Sequence, residues 1–588
     1  MNTFWKSFFA TLLALVVFSL LMFFIVLGMV AAVTSGLEKK AVAVEPHSIL
    51  YLDLNYPIPE QTSFHIPFPS ASIFSADEGA GLNDILRSIE AAADDPNIEA
   101  IWLQMGYNVN PYATLQEIRN ALQAFRINSD KPVIAYGEVV NQSSYYLGSV
   151  ADEVYLNPAG VLEFKGLAAR LTFIKGTLDK LGIRTQVFWA GEFKSATEPL
   201  RLDKMSDQNR EQLREYVGGL YDQILADISV SRKMPEDSLR SVANELMAWL
   251  PVQTVRTGLV DSLLYDDQLR SMLQERLELE EDAELVSVAD YVESIPKQSG
   301  NWENQIAVVY MEGDIVDGSG QNGSIGSVSY RKILSDLRQD DEIKAVVLRI
   351  NSGGGSAVAS EVIWREIEAL RAVKPVVVSM GDYAASGGYM IACSADKVFA
   401  QPNTLTGSIG VFMILPDISG FREDKLGMTS DTLLTGKFSD FPTISRPVSD
   451  AEAVKLQEGI DSAYINFKRL VANGRNMDMN AVEDLAKGRI WLGTTALNLG
   501  LVDALGSKED AIQAAADLAE LDTYRIHEYP EQKQELWEEL FNSLANEQVE
   551  AAVWQEKLGD LFEPYLQVQD YLQHPIMRME LPYEVEVY

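Results

Sequence analysis

Two reactive side chains stand out because each occurs in only one of two related segments of the chain. Ser408 lies in the sequence Thr-Gly-Ser-Ile-Gly at 406–410, and Lys194 lies in Gly-Glu-Phe-Lys-Ser-Ala at 191–196. A serine hydroxyl becomes a nucleophile when a base takes its proton. A lysine can be that base when burial and cationic surroundings lower its pKa toward neutrality. The pair therefore indicates acyl transfer by a serine and a lysine.

Backbone amides for an oxyanion are offered by the stretch 351–356, Asn-Ser-Gly-Gly-Gly-Ser, which follows a Val-rich run. Glycines there let N–H groups approach a ligand without obstruction by a Cβ atom. None of the four histidines lies in these motifs, which removes the commoner base. The single cysteine, Cys393, excludes an internal disulfide framework and a Cys-based metal centre within one chain. We expect no cofactor and no metal.

The structural elements that must position these residues belong to a sequence that is repeated within the chain. Lys131-Pro132-Val133 recurs as Lys374-Pro375-Val376, and Asp179-Lys180-Leu181-Gly182 recurs as Asp424-Lys425-Leu426-Gly427. Other matches keep nearly the same spacing, so the repeat has a period of roughly 244 residues. A chain of 588 residues also exceeds what one core can organise. We predict two homologous domains at 45–296 and 304–530, followed by an acidic extension at 531–588.

The two copies have lost complementary groups. Phe164 stands in the first copy where Ser408 stands in the second, and Ser439 stands in the second where Lys194 stands in the first. Taken alone, a serine between glycines is typical of a capped turn, and a lysine is typical of a solvated surface. Together they predict that the first copy supplies the base and the second copy the nucleophile.

Within each copy, short β-rich runs alternate with helical periodicity. Residues 305–311, 345–350 and 375–380 are predicted strands, and the spacing of apolar residues over 359–373 predicts a helix. This alternation of strands and helices along the chain predicts a parallel sheet with crossover helices. The predicted fold class is α/β.

The N-terminal segment, residues 1–44, is predicted to be a membrane anchor with a helix at about 8–33. No charged residue occurs between Ser7 and Leu37, and the apolar core exceeds the ~20 residues that span a bilayer. Flanking lysines are nearly balanced, so charge favours an external body only slightly. The chain has 48 Lys and Arg against 85 Asp and Glu, a net charge of −37, which argues against nucleic-acid binding.

The combination of anchor, repeat and motifs resembles signal peptide peptidase A, also called protease IV, in its long duplicated bacterial form. The resemblance rests on Gly-Ser-Ile-Gly at 407–410, Ala-Ser-Gly-Gly-Tyr at 385–389 and the segment 191–199. It implies two domains of the Clp protease and crotonase superfamily. It also implies a bacterial inner membrane location with the body facing the periplasm or exterior. Implied partners are signal peptides and other apolar peptides, and further copies of the chain in a tetramer.

The same resemblance implies roles for individual residues. Ser408 would be the nucleophile and Lys194 the general base, with the backbone amides of Gly354, Gly355 and Ser408 forming the oxyanion hole. A hydroxyl near the base is expected, for which Ser430 is a candidate. The family usually has Asn-Ser-Pro-Gly-Gly in the glycine loop, and here the proline is replaced by glycine at 353.

Two alternatives remain open at this stage. A crotonase-like acyl-CoA enzyme would share the strand and the oxyanion glycines, but it requires a catalytic carboxylate and a CoA site that the sequence does not locate. A membrane scaffold with a decayed site would also fit the duplicated chain, because the first copy already lacks the serine. Labelling of Ser408 by a serine-directed reagent separates the peptidase from the scaffold.

Overall fold

The computed structural model describes residues 44–62, 79–279, 282–296, 303–321 and 323–530, together with 577–579 and isolated positions between 8 and 22. Most of the predicted anchor helix at about 8–33 and most of the extension 531–588 therefore lie outside the described residues. Within the described ranges, none of the helices combines the length and the apolar character needed to cross a bilayer.

The first copy is built on a parallel sheet. Its part of the chain contains the strands β1 (Ser48–Asp53), β2 (Ile98–Met105), β3 (Val133–Val140), β4 (Glu153–Leu162), β5 (Arg184–Ala190), β6 (Ser262–Leu263) and β7 (Leu285–Ser287). All except β5 join one six-stranded sheet in the order β6-β4-β3-β2-β1-β7. Every neighbouring pair in it is parallel.

The second copy repeats this plan. Its strands are β8 (Gln305–Glu312), β9 (Asp314–Val316), β10 (Ser324–Gly326), β11 (Ile343–Ser352), β12 (Gly355–Ser356), β13 (Val376–Ala385), β14 (Lys397–Ala400), β15 (Leu405–Gly407), β16 (Val411–Asp417), β17 (Ile490–Leu492), β18 (Ala504–Leu505) and β19 (Arg525–Tyr529), and β20 (Met577–Met579) follows. The main sheet runs β17-β15-β13-β11-β8-β19, with β14 and β18 beside β13. Among its described strands, β15 and β17 pair antiparallel and the other neighbours pair parallel. Eight of the ten residues of β11 are buried, as expected for a strand covered on both faces.

Helices cover both faces of the two parallel sheets. In the first copy they are α1 (Leu82–Asp94), α2 (Tyr112–Asn128), α3 (Gln142–Gly148), α4 (Lys175–Leu181), α5 (Glu198–Arg201), α6 (Asp207–Arg232), α7 (Glu236–Asn244), α8 (Pro251–Thr257), α9 (Asp266–Arg276) and α10 (Val288–Ser294). In the second they are α11 (Ser327–Gln339), α12 (Ala357–Arg371), α13 (Gly387–Ala392), α14 (Asp450–Gly474), α15 (Met479–Leu485), α16 (Gly493–Asn498) and α17 (Lys508–Leu518), with a π-helical turn at Phe421–Lys425. Buried apolar clusters lie on both sides of each sheet.

A third, mixed sheet joins the two copies. Its order is β10-β9-β12-β20-β16-β5. Strand β5 comes from the first copy and pairs antiparallel with β16 of the second over seven residue pairs, from Val411 opposite Ala190 to Asp417 opposite Arg184. This pairing brings the chain that follows β5 to the beginning of β16.

The strands and the helix predicted from sequence are present. Strands β8, β11 and β13 contain most of the predicted runs, and α12 covers most of the predicted helix 359–373. Polar contacts also repeat between the copies: Arg232 pairs with Asp261 at 2.8 Å, and Arg475 pairs with Asp503 at 2.6 Å. The α/β prediction is confirmed, whereas the exact domain boundaries stay predictions.

Candidate active site

Three loops of the second copy meet at the carboxyl edge of its sheet. Strands β11 and β13 pair through Ser352 and Ala384, and β13 and β15 pair through Ala385 and Gly407. The residues that follow these strands are the glycine loop 353–355, Ser386 and Ser408. Because adjacent parallel strands end side by side, the register alone places these three groups at one edge.

Ser408 occupies a constrained turn between β15 and β16. It is fully buried, and its φ is +49°, a left-handed conformation that is uncommon for a residue with a Cβ atom. Its N–H donates to the Arg489 carbonyl at 2.7 Å. Such strained backbone persists where the surrounding structure fixes it, and it is frequent at active sites.

Lys194 reaches this turn from the first copy. The chain leaves β5 at Ala190, which pairs with Val411 at the start of β16, and the Phe193 N–H then donates to the Lys487 carbonyl at 2.8 Å. Gly488 packs so closely on Lys194 that a Cβ atom there would lie 2.6 Å from the lysine Cβ. The Lys194 side chain is 1% exposed, which is unusual for a lysine.

The two predicted catalytic residues are in hydrogen-bonding contact. Lys194 Nζ lies 2.9 Å from Ser408 Oγ and 3.3 Å from the Ser408 carbonyl oxygen. Burial of a lysine removes the water that stabilises its ammonium form and so disfavours that form. A neutral amine at this distance can accept the hydroxyl proton, which is the first requirement for a serine nucleophile.

A second hydroxyl contacts the same amine. Ser386 is fully buried, and its Oγ lies 2.8 Å from Lys194 Nζ. The motif at 385–389 that contains Ser386 contributes to the family resemblance, but the sequence predicts no role for this residue. The sequence signal that could have indicated a role for Ser386 is a serine followed by two glycines directly after a Val-rich strand.

The residue proposed from sequence to orient the lysine lies in a different setting. Ser430 is exposed, and its hydroxyl accepts a hydrogen bond from Arg422 Nη2 at 2.9 Å. Its expected role stays a prediction. Ser439, the counterpart of Lys194 in the second copy, is also exposed, and its hydroxyl donates to the Gly436 carbonyl at 2.9 Å.

The glycine loop lies beside the nucleophile turn. The Gly354 N–H donates to Ser352 Oγ at 3.2 Å, and Gly355 lies in β12 opposite Met579 of β20. Gly355 must lack a side chain, because its φ is +151° and a Cβ atom would lie 2.1 Å from the Ile315 carbonyl oxygen. The assignment of Gly354, Gly355 and Ser408 amides to an oxyanion hole stays a prediction.

The first copy has an aromatic ring at the position of the nucleophile. Phe164, the counterpart of Ser408, is buried and packs against Tyr145 with the ring centroids 5.7 Å apart. Lys165 follows it on the surface, paired with Glu163 at 2.8 Å. Phe164 is thus part of the hydrophobic core of the first copy.

Behind the glycine loop, the two copies meet through buried charges. Arg349 on β11 is 1% exposed, and it pairs with Glu60 at 2.9 Å and with Glu117 at 2.7 Å, both from the first copy. Burial raises the pKa of Glu117 to about 7, although Arg349 opposes the shift. Asp382, in the same cluster, accepts hydrogen bonds from the Thr114 N–H and hydroxyl at 2.8 and 2.6 Å.

Glu312 completes this cluster of carboxyl groups. Its Oε2 accepts a hydrogen bond from the Glu60 N–H at 3.2 Å. Burial and the charge of Glu60 raise the pKa of Glu312 to about 7. Burial likewise raises the pKa of Asp382. Several acids and one buried arginine therefore lie directly beneath the site, so some of these acids carry protons near neutral pH.

In the parts of the chain that the structure describes, no group of three or more His, Cys, Asp and Glu side chains is arranged to hold a metal ion. Burial raises the pKa of the Cys393 thiol to about 12, so it stays protonated. Cys393 packs in the main core of the second copy.

Comparisons with known proteins match both copies. Residues 126–280 and 368–522 match the model of peptidase family S49, and 298–407 match that of Clp protease. A protein named Protease 4 from Haemophilus influenzae is 34% identical over 453 residues, or 74% of this chain and 72% of that protein. Protease 4 from Salmonella typhi is 35% identical over 463 residues, covering 77% and 74%. A chloroplastic serine protease SPPA from Arabidopsis thaliana is 31% identical over 457 residues, covering 75% and 66%.

Proposed function

Since the chain belongs to peptidase family S49 and is a serine endopeptidase, we propose that Ser408 is its nucleophile and Lys194 its general base. The observation that carries this proposal is the 2.9 Å contact between Lys194 Nζ and Ser408 Oγ. The two side chains come from different copies of the repeat, and both are buried. A base must be within hydrogen-bond reach of the proton it removes, and this pair meets that condition.

The chemistry follows from this contact. Lys194 takes the Ser408 hydroxyl proton while Oγ attacks the carbonyl carbon of the scissile peptide bond, which gives a tetrahedral oxyanion. The resulting ammonium returns its proton to the leaving amine as the C–N bond breaks, leaving an ester on Ser408. The free amine then accepts a proton from water, which attacks the ester. The ammonium passes that proton to Ser408 Oγ as the C–O bond breaks and the second product leaves. Backbone amides of Gly354, Gly355 and Ser408 would stabilise both oxyanions once the Gly354 and Ser408 N–H groups leave their present acceptors, Ser352 Oγ and the Arg489 carbonyl.

We infer that an extended peptide binds next to this pair, in the place that strand β20 of the chain occupies in this structure. Strand β20 of the chain itself lies between β12, which ends the glycine loop, and β16, which leaves the nucleophile turn. It pairs antiparallel with both, through Ser356 and Phe412 opposite Arg578. Addition of a strand between two strand edges is a general mode of peptide binding. This position supports an endopeptidase that holds its substrate in extended form.

We propose that the substrates are signal peptides and similar apolar peptides. The family assignment and the relatives named Protease 4 support this class. The uncharged segment 8–33 would hold the enzyme at the bacterial inner membrane with its body on the outer side, where such peptides remain after processing. Assembly of several copies belongs to the same proposal.

The proposal is tested by cleavage of an internally quenched apolar peptide by the full chain in detergent. Ser408→Ala and Lys194→Ala should each lower kcat by roughly 10³-fold or more, because each removes a member of one chemical unit. Ser439→Ala and Lys437→Ala are matched controls, since both residues are exposed in the corresponding segment of the second copy. Both controls should keep normal activity.

Thermal unfolding of each variant shows whether its fold is intact. Full cleavage by folded Ser408→Ala or Lys194→Ala would contradict the proposal. A folded wild-type chain that cleaves no peptide would favour a scaffold.

A further inference from the structure

Ser386 makes a contact with the proposed base as short as that of the nucleophile. Its Oγ lies 2.8 Å from Lys194 Nζ, and Ser408 Oγ lies 2.9 Å from the same nitrogen. All three side chains are at most 1% exposed. A hydroxyl at this depth is held by the surrounding protein and does not exchange partners with water.

The backbone fixes Ser386 relative to Ser408. Its φ of +55° and ψ of −115° lie outside the regions that residues with a Cβ atom favour, so this backbone conformation is strained. The Ser386 N–H donates to the carbonyl of Gly407, the residue before Ser408, at 2.8 Å. The protein therefore retains a strained serine whose hydroxyl is aimed at the lysine.

The first copy has lost this hydroxyl together with the nucleophile. Tyr389, three residues after Ser386, and Tyr145 in the first copy each donate to the matching Gly-Leu-Val-Asp segment, at 2.9 and 2.7 Å. This correspondence places Gln142 where the second copy has Ser386. The Gln142 side chain accepts hydrogen bonds from the two backbone amides that follow Phe164, at 3.0 and 2.9 Å. Ser386 and Ser408 thus both occur in the second copy, which contacts Lys194 of the first copy, and neither has a serine counterpart in the first.

We propose that Ser386 is the positioning residue of the lysine base, an inference that rests on the proposed pair of Ser408 and Lys194. A neutral amine has one lone pair and two N–H groups. When Ser386 Oγ and the Ser408 carbonyl oxygen accept those N–H groups, the lone pair points to the Ser408 hydroxyl. After proton transfer, Ser386 still accepts from the ammonium, which is the stronger hydrogen bond of the two states.

Charged side chains on the segments packed around Lys194 are paired with one another. Lys487 lies 3.4 Å from Glu192, and Arg489 lies 3.2 Å from Glu211 and 2.6 Å from Glu215. The Lys194 amine itself lies 5.9 Å from the centre of the Phe412 ring. Among the described residues, the Ser386 hydroxyl is thus a neutral acceptor beside two groups of charges that pair with one another.

The test compares Ser386→Ala and Ser386→Gly with wild type over a range of pH, using the full chain in detergent and the apolar peptide substrate. Glycine adopts the positive φ without strain, so the second variant removes the hydroxyl even if alanine disturbs the fold. Ser360→Ala is the matched control, because Ser360 is fully buried and its hydroxyl donates only to the Ser356 carbonyl, at 2.8 Å, among its described contacts.

Loss of the Ser386 hydroxyl should lower kcat by roughly 10- to 100-fold, because the Lys194 amine would no longer be held in the orientation that proton transfer needs. KM should stay within about twofold of the wild-type value. The acidic limb of the kcat/KM profile should move to lower pH in both Ser386 variants. The reason is that a hydrogen bond that stabilises the ammonium more than the amine has been removed. In Ser360→Ala the limb should stay in place.

Two results would overturn the inference. One is an unchanged kcat in the folded Ser386 variants, and the other is a loss of activity at every pH with the limb unmoved, as a structural role predicts. Lys194→Ala, assayed in parallel, separates the two proposals. If it is inactive while Ser386→Ala behaves as wild type, only the role of Ser386 fails. If it is fully active, the Ser408 and Lys194 pair fails.

Discussion

Replacement of Glu312 by glutamine should make the protein more stable above neutral pH. Glu312 lies in the carboxyl cluster between the two copies, and burial together with the charge of Glu60 raises its pKa from 4.5 to about 7. Glutamine keeps an oxygen that can accept the Glu60 N–H, at present 3.2 Å away, and has no proton to lose. The substitution therefore removes the ionisation and preserves the contact.

The magnitude follows from proton linkage. A carboxyl with a raised pKa in the folded state contributes stability that is complete below its unfolded pKa and is lost as the pH rises through its folded pKa. Each unit of separation corresponds to about 1.4 kcal/mol. Between about pH 5.5 and pH 8, wild type should lose about 2 kcal/mol relative to Glu312→Gln, because Glu312 ionises at about 7.

Urea unfolding of the full chain, followed by tryptophan fluorescence at both pH values, measures this difference. Glu361→Gln is the matched control, because Glu361 is exposed on α12. Its difference from wild type should not change with pH. The reasoning would be refuted if the difference between Glu312→Gln and wild type were the same at both pH values, since Glu312 would then be ionised in the folded protein across the whole range.

Two further substitutions test how the halves of the chain hold the site together. Arg349→Met should lower the free energy of unfolding by about 3–5 kcal/mol at neutral pH, because it leaves the two buried carboxylates without their cation. A small shift of the urea midpoint would instead show that these carboxyl groups are neutral or hydrated. Gly488→Ala should abolish peptide cleavage, because its φ is +78° and a Cβ atom would lie 2.6 Å from that of Lys194. Gly427→Ala is its control, with φ +66° and no atom within 4 Å of the added Cβ. Equal activity in the two glycine variants would contradict the packing.

Much of the fold could be predicted because its signals are local. Parallel strands buried on both faces read as Val-rich runs, as in β11 and β13, and a duplicated domain is visible as a repeated pattern. The pairing of Ser408 with Lys194 could also be predicted, since each copy lacks what the other has. The repeat thus supplied long-range information that a single domain would not contain.

Other features, such as the ion pairs of Arg349 and the contact of Ser386, depend on long-range contacts that the sequence does not predict. Arg349 and Glu60 are 289 residues apart, and each alone resembles an ordinary surface charge. Ser386 becomes part of the site through the register between β13 and β15, which sets Ala385 opposite Gly407. Local patterns predict strands, but the partner strand and its register are tertiary properties.

The most direct test of the account is the site at which a fluorophosphonate reagent modifies the full chain. Mass spectrometry of the digested protein should locate one adduct on Ser408, and Lys194→Ala should slow its formation by roughly 10³-fold, because the hydroxyl loses its base. An adduct on another serine, or an equal rate of labelling at Ser408 without Lys194, would contradict the proposed pair.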